Sequence, residues 1–301
     1  MSGLSNRKWA DKISLFVFLL PTIFFLFVFI AYPVFSSGYL SFTDYDFARD
    51  DTPTFTGVEG YYDLMDDSFF HSALTNQIKY AIPYILMTFI GSLFLALVVS
   101  ELTKGVVLFN IIFYLPMIIA LSMAGLTFSW ILHQDVGIFN EFLRRFGFES
   151  FARQHWFGDP STALMGLVVI ASWKMIGFTF IIFLAGIQSI PNELREAAKI
   201  DGANYWEEVY FIILPLLKPY LLAGGIWIII NGFKVFDLPQ VITQGGPGVS
   251  TLTLYLYSWK SAFQRYDMGL ASRVAYATAA MIVAMTWVLN KILQPDKAER
   301  F

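Results

Sequence analysis

Long apolar runs separated by short polar stretches dominate this chain. In order they are Ile13–Tyr32, Tyr80–Ser100, Val106–Leu132, Leu164–Ile187, Tyr220–Ile242 and Ala271–Leu289. Each is near the roughly 20 residues that an α-helix needs to cross the hydrocarbon core of a bilayer. The pattern predicts an all-α integral membrane protein with six transmembrane helices. Pro21, Pro83 and Pro116 fall inside or near the starts of runs, which lipid-embedded helices tolerate when neighbours satisfy the freed carbonyls.

The polar stretches set an orientation. The N-terminal tail carries Arg7, Lys8 and Lys12 against Asp11, and basic flanks stay in the cytoplasm. After the first run come Asp44, Asp46, Asp50, Asp51, Glu59, Asp63, Asp66 and Asp67 against Arg49 alone, which places that stretch outside. Six crossings return Lys291, Lys297 and Arg300 to the cytoplasm. Both termini are therefore expected inside, although the Thr243–Arg273 loop on the outer side is slightly basic. A signal peptide would share the basic start, the apolar run and the small residues near Ser36, Ser37 and Gly38. The run to Tyr32 is longer than a usual signal core, so a retained helix is expected.

Composition narrows the class further. The chain has 301 residues, of which 56% are hydrophobic and 14% charged, against roughly a quarter charged in soluble domains. A shortfall spread over the whole length fits several spans rather than one anchor. The net charge of -3 gives no basic field for nucleic acid. Cysteine is absent, which excludes disulfides, thiolate metal sites and cysteine nucleophiles. His71, His133 and His155 lie far apart, so no histidine metal cluster is expected. No G-x-x-x-x-G-K-[ST] phosphate loop is present, and "TQGGPG" reads as a turn after the fifth span.

One polar segment does not look like a simple turn. "ELREAAKIDGANYWEEVYFIILPLLKP", Glu193 to Pro219, lies between spans four and five, on the expected cytoplasmic side. Asn192 can cap a helix start behind Pro191, and Glu193 and Glu196 suit its positive end. Ala197 and Ala198 favour helix. Gly202, costly inside a helix, marks either a helix end or a close approach by another group. Leu214-Pro215 reads as a stop before the fifth span. A short helix with a small-residue face is shaped for a groove on a partner; the plainer alternative is an interfacial loop.

Glu196-Ala197-Ala198, then Asp201-Gly202-Ala203, then Leu214-Pro215 resembles the "EAA" loop of permeases in ATP-binding-cassette importers. The resemblance extends to "LLPTIFFLFVFIAYPVFSSGYLSFTDYDF", "FTGVEGYYDLMDD", "ITQGGPGVSTLTLYLYSWKSAF" and "DMGLASRVAY", which are similar to the maltose-type and glycerol-phosphate-type carbohydrate permeases. It implies a type I importer permease fold, with a cytoplasmic coupling helix that sits in a cleft of an ATPase subunit. Glu196, Ala197, Ala198, Asp201, Gly202, Ala203 and Pro215 would form the coupling loop, about residues 188–219. The implied organisation is 1–70 for the tail, first helix and acidic outer loop, 71–291 for the transmembrane core, and 292–301 for the tail. The implied partners are a second homologous permease, two ATP-binding subunits holding ATP and magnesium, an extracytoplasmic solute-binding protein and the lipid bilayer. No cofactor is expected in this chain. Arg273 stands where the pattern usually has a small residue.

Polar groups inside spans usually have a task. Lys174 lies mid-span and could snorkel or pair with a carboxylate of another helix. Lys234 and Asp237 lie one turn apart and could pair. By the resemblance, Ala171, Met175 and Phe178 on span four and Ile228, Asn231, Gly232 and Val235 on span five match faces that line a solute site. The expected cargo is a neutral di- or oligosaccharide, since the spans hold no arginine cluster for a phosphate; glycerol phosphate or another polar solute is the alternative cargo. A membrane enzyme would need clustered His, Asp or Glu, and a channel would leave the docking segment unexplained.

Overall fold

The computed structural model describes residues 16–102 and 104–293. The start of the first span at Ile13 and the tail charges Arg7, Lys8, Lys12, Lys297 and Arg300 lie outside the described residues. All six expected spans are apolar helices, the third as a bent pair. The chain divides into two compact units, residues 1–66 with 258–276, and residues 67–257 with 277–301.

In the first unit, helix α1 (Phe16–Leu40) leads into a small antiparallel hairpin, β1 (Thr43–Asp44) and β2 (Thr54–Phe55), and then α2 (Glu59–Asp66). The backbone around Tyr45–Phe47 pairs with Tyr266–Met268: Phe47 N–H donates to Tyr266 O at 3.1 Å and Met268 N–H to Tyr45 O at 2.9 Å. Arg273 is buried here, and its guanidinium lies over Gly60, where a Cβ would come within 1.5 Å of Nη1. The arginine at 273 fits because position 60 carries no side chain. Burial raises the Asp267 carboxyl above its ordinary pKa, against the opposing charge of Arg273.

The second unit holds α3 (Ser68–Ser100), α4 (Val106–Ile118), α5 (Leu121–Ile131), the short α6 (Ile138–Arg145) and α7 (Glu149–Ala152), and α8 (Ala163–Gln188). These are followed by α9 (Asn192–Ile200) and α10 (Tyr205–Phe233). Helix α11 (Leu254–Phe263) begins in this unit, and α12 (Met268–Leu293) ends in it. Helix α8 is the central rod, with 61% of its apolar window buried. Its packing uses small residues where backbones close in, as lipid-embedded helices do when no hydrophobic effect draws them together. At Gly177 a Cβ would lie 1.8 Å from the carbonyl oxygen of Phe113 on α4.

The second span starts early, at Ser68 rather than Tyr80, and two others differ in course. Val106–Leu132 is not one rod: α4 and α5 meet at 95°, because Ile119 and Ala120 leave the helical conformation, with ψ 132° and 135°. The fifth span does not run from Tyr220 to Ile242. It starts at Tyr205 and ends at Phe233, and Leu214-Pro215 is not a stop. A π turn at Val209–Ile213 precedes Pro215, and this wider backbone relieves the proline ring's clash with the carbonyl of Phe211.

Gly177→Ala is expected to lower the thermal stability of the detergent-purified protein by an amount toward the upper end of the about 1–3 kcal/mol typical of overpacking, because backbone cannot yield. Gly91→Ala meets only the flexible end of Ile176 at 2.9 Å and should melt near wild type. Equal melting temperatures for the two variants would contradict the packing described.

Candidate functional site

Helix α9 follows α8 after a three-residue bend. Asn192 does not cap it: extended Pro191 holds the N-cap position, and Asn192 is already the first helical residue. Glu193 in the first turn and Lys199 in the last complement the helix dipole. Gly202 closes the helix with φ +86°, a left-handed conformation that glycine adopts without strain. Ala203 N–H then reaches back to Ala198 O at 3.0 Å. Among the described residues nothing lies within 4 Å of a Cβ at Gly202, so of the two roles open to this glycine the fold uses the helix end. Asn204 and Glu207 form a reciprocal capping box that starts α10, and Pro215 lies inside that helix, half-buried.

Only one side of α9 meets the body of the protein. Ala198 is buried and Arg195 half-buried, three residues apart on one face. Glu196, Ala197, Asp201 and Gly202 are exposed and Ala203 is half-buried. Ile200 is 86% exposed. The Arg195 guanidinium binds two carboxylates, Glu208 on the first turn of α10 and Glu101 at the end of α3. Burial pulls the pKa of Arg195 down, but the hydrogen bonds and charges of Glu208 and Glu101 outweigh it and leave the pKa raised.

Deeper among the spans lies a cavity of about 150 Å³. Tyr80 and Tyr84 of α3 stack on its wall, ring centroids 5.6 Å apart. Ala171, Lys174 and Met175 come from α8, Met117 and Leu121 from the two sides of the α4–α5 break, and Asn231, Lys234, Val235, Phe236 and Asp237 from the end of α10 and beyond. Of the residues expected at a solute site, Ala171, Met175, Asn231 and Val235 are brought together here. Phe178, Ile228 and Gly232 are not. The Phe178 ring packs on Trp227, with centroids 5.4 Å apart. Ile228 is fully buried in the core. Gly232 admits Tyr84 and accepts from Gln77 Nε2 at 2.9 Å.

The charged residues behave differently from the sequence expectation. Lys174 neither snorkels nor meets a carboxylate. Its ammonium donates to the carbonyl oxygens of Pro116, Met117 and Ile119 at 3.4, 2.7 and 2.6 Å, the groups exposed where α4 stops. Lys234 and Asp237 form no ion pair, because α10 ends at Phe233 and helical spacing no longer holds beyond it. Asp237 instead accepts from Ser122 Oγ at 3.5 Å. Among the described residues no group of His, Asp and Glu could hold a metal.

Three features of the site stand outside the sequence expectation. The first is the Arg195 cluster, whose partners are 94 and 13 residues away. The second is the Tyr80–Tyr84 stack, for which the i, i+4 spacing was an available signal. The third is the pair Asn76 and Gln77 inside a long helix. Asn76 Nδ2 donates to Val249 O at 2.6 Å and Leu252 O at 3.0 Å, pinning the glycine-rich turn.

Comparison with known proteins decides the family. Residues 105–294 match the family described as "Binding-protein-dependent transport system inner membrane component". The chain belongs to that family. It is an integral membrane permease, a transport subunit and not an enzyme. It is 31% identical to the probable ABC transporter permease protein YurN of Bacillus subtilis, over 96% of this chain and 99% of that one. It is 32% identical to the sulfoquinovosyl glycerol transport system permease protein SmoG of Agrobacterium fabrum, over 94% and 91%. The trehalose/maltose transport system permease protein MalF of Thermococcus litoralis is 29% identical, over 96% of both chains. A chain from the crystal structure of a bacterial ABC transporter involved in the import of the acidic polysaccharide alginate superposes with a TM-score of 0.83, at 22% identity, over 97% of this permease and 99% of that chain. The fold is that of a type I importer permease.

Lys174→Met should bare the carbonyls at the α4–α5 break and destabilise the permease by about 1–3 kcal/mol, read as a lower melting temperature in detergent. Lys174→Arg keeps the donors and should recover most of the loss. A Lys174→Met protein that melts like wild type would show that the break needs no cap.

Proposed function

We propose that this permease imports a saccharide, a di- or oligosaccharide, across the cytoplasmic membrane, with α9 as the helix that docks on an ATPase subunit. The observation that carries this reading is α9 itself: a helix between two apolar spans, exposed except for Arg195 and Ala198, with an apolar Ile200 at its end. Leu194 and Ile200, both exposed, give the helix apolar surface that a partner groove could cover. Glu196, Ala197, Ala198, Asp201, Gly202 and Ala203 form the docking element, which residues 189–191 and Asn204 join to α8 and α10; the later part of the expected loop 188–219, from Tyr205 on, is already the fifth span. Residues 71–291 act as the translocating core, flanked by 1–70 and 292–301, with both termini in the cytoplasm.

The partners are a second homologous permease, two ATP-binding subunits that hold ATP and magnesium, and an extracytoplasmic solute-binding protein. The cavity supports the pairing, because about 150 Å³ is below the roughly 300–1,000 Å³ of complete ligand sites and suits a half-site. Tyr80 and Tyr84 back the cavity but are only 1% and 2% exposed, and the accessible groups are Asn231, Lys234 and Asp237, which offer hydrogen bonds. A saccharide bearing an acidic group is the second reading of the cargo, favoured by the Lys234 ammonium, which has no partner among the described residues. Closure of the ATPases moves α9 and switches the cavity between outward and inward access.

The permease co-assembled with its partners should hydrolyse ATP faster when the loaded binding protein is added. Ile200→Ser should leave the melting temperature of the permease unchanged while lowering co-purification of the ATPase. The two properties separate further at Gly202. Permease stability should rank Asn above Ala, since asparagine tolerates positive φ, whereas ATPase retention should rank Ala above Asn by volume. If retention instead follows stability, α9 is a solvated loop.

Orientation has its own test. The chain lacks cysteine, so single cysteines at Asp50 and Asn192 report without background. An impermeant thiol reagent outside whole cells should label the first and spare the second, and equal labelling would overturn the arrangement.

A further inference from the structure

Three elements meet at Arg195. The side chain of Glu208 is 2% exposed and that of Arg195 16%, so the pair is withdrawn from water and a missing partner would leave a buried charge. Glu101 is the C-cap residue of α3, the helix end where the dipole disfavours a carboxylate. The acid is held there against its local preference by the guanidinium it binds. Among residues 192–202, only Arg195 and Ala198 are not exposed. Without the cluster, α9 would keep one small buried side chain and its two covalent ends.

The same helices line the cavity at their far ends. Uninterrupted α3 carries Glu101 at one end and Tyr80 and Tyr84 toward the other. Helix α10 carries Glu208 in its first turn and Asn231 in its last. At 1.5 Å rise per residue each separation is roughly 30 Å. Resting on the docking role of α9, we propose that Arg195 is a positioning residue for transport: its two-carboxylate clamp makes α9 move as one body with the ends of α3 and α10. Displacement of the docking helix thereby reaches the cavity wall. Arginine suits the task because its planar fork engages two carboxylates in fixed directions, which a lysine cannot reproduce.

The experiment uses the reconstituted full transporter and reads solute moved per ATP hydrolysed, beside ATPase co-purification. Failure of the wild-type assembly to hydrolyse ATP in response to loaded binding protein sinks the docking reading itself. With that response in place, Arg195→Met/Glu208→Gln removes the cation together with the buried carboxylate it would orphan. It should assemble normally but move about tenfold less solute per ATP, with Arg195→Lys intermediate. Cysteines at 195 and 208 joined by a short bifunctional thiol reagent should restore the ratio, and a reductant that cleaves the link should abolish it again. A wild-type ratio in the double variant overturns the inference. So does a loss explained by failed membrane accumulation or by a lost ATPase subunit, either of which assigns the cluster to folding or docking alone.

Discussion

A backbone carbonyl or amide set free inside a membrane must find a partner within the protein, since lipid offers none. The second unit of this permease is organised by that constraint. Where α4 ends, Lys174 of α8 takes up three carbonyls. Where α10 ends, Gln77 of α3 binds Gly232 O at 2.9 Å and Thr253 Oγ1 binds Val235 O at 3.1 Å. The glycine-rich turn beyond is held by Asn76. Each break in a span is matched by a polar side chain from another part of the unit.

The breaks are what give the cavity its chemistry. Met117 and Leu121 flank the first, and Lys234 to Asp237 form the second. Continuous helices would have presented only side chains at 3.6-residue spacing and kept their backbones closed. Interruption lets residues 234–237 turn toward the tyrosines of α3. The polar groups tolerated at this depth are there because the chain bends, and the bends persist because those neighbours satisfy them.

Helix α9 obeys the opposite rule. It lies beyond the spans, is exposed on most of its surface, and owes its shape to local signals: proline before it, charges matched to its dipole, and a left-handed glycine after it. Its attachment to the body is nearly all electrostatic. A buried pair of this kind adds little stability over an apolar contact, but it fixes direction, which a few methyl groups on Ala198 and its neighbours could not.

Much of this protein was determined by its sequence alone. Apolar runs long enough to cross a bilayer fixed the class and the number of spans, because lipid selects for composition over a stretch and little else. Helix α9 was legible for a similar reason: Glu196-Ala197-Ala198 and Gly202 act through local helix propensity and backbone freedom. The tertiary structure decided where spans stop. Pro215 reads as a stop in any sequence, yet a π turn carries α10 through it. Phe233, without any breaker after it, ends the helix because neighbouring side chains satisfy the backbone groups freed there. The tertiary structure also decided partners. Lys174 and the pair Lys234 and Asp237 looked like ions in need of counter-ions, but the first found carbonyls and the others found a cavity. Arg195, Glu101 and Glu208 looked like ordinary surface charges in sequence; they became a cluster only when three separate helices were brought together, since pairing depends on distance in space, which spacing along the chain does not encode.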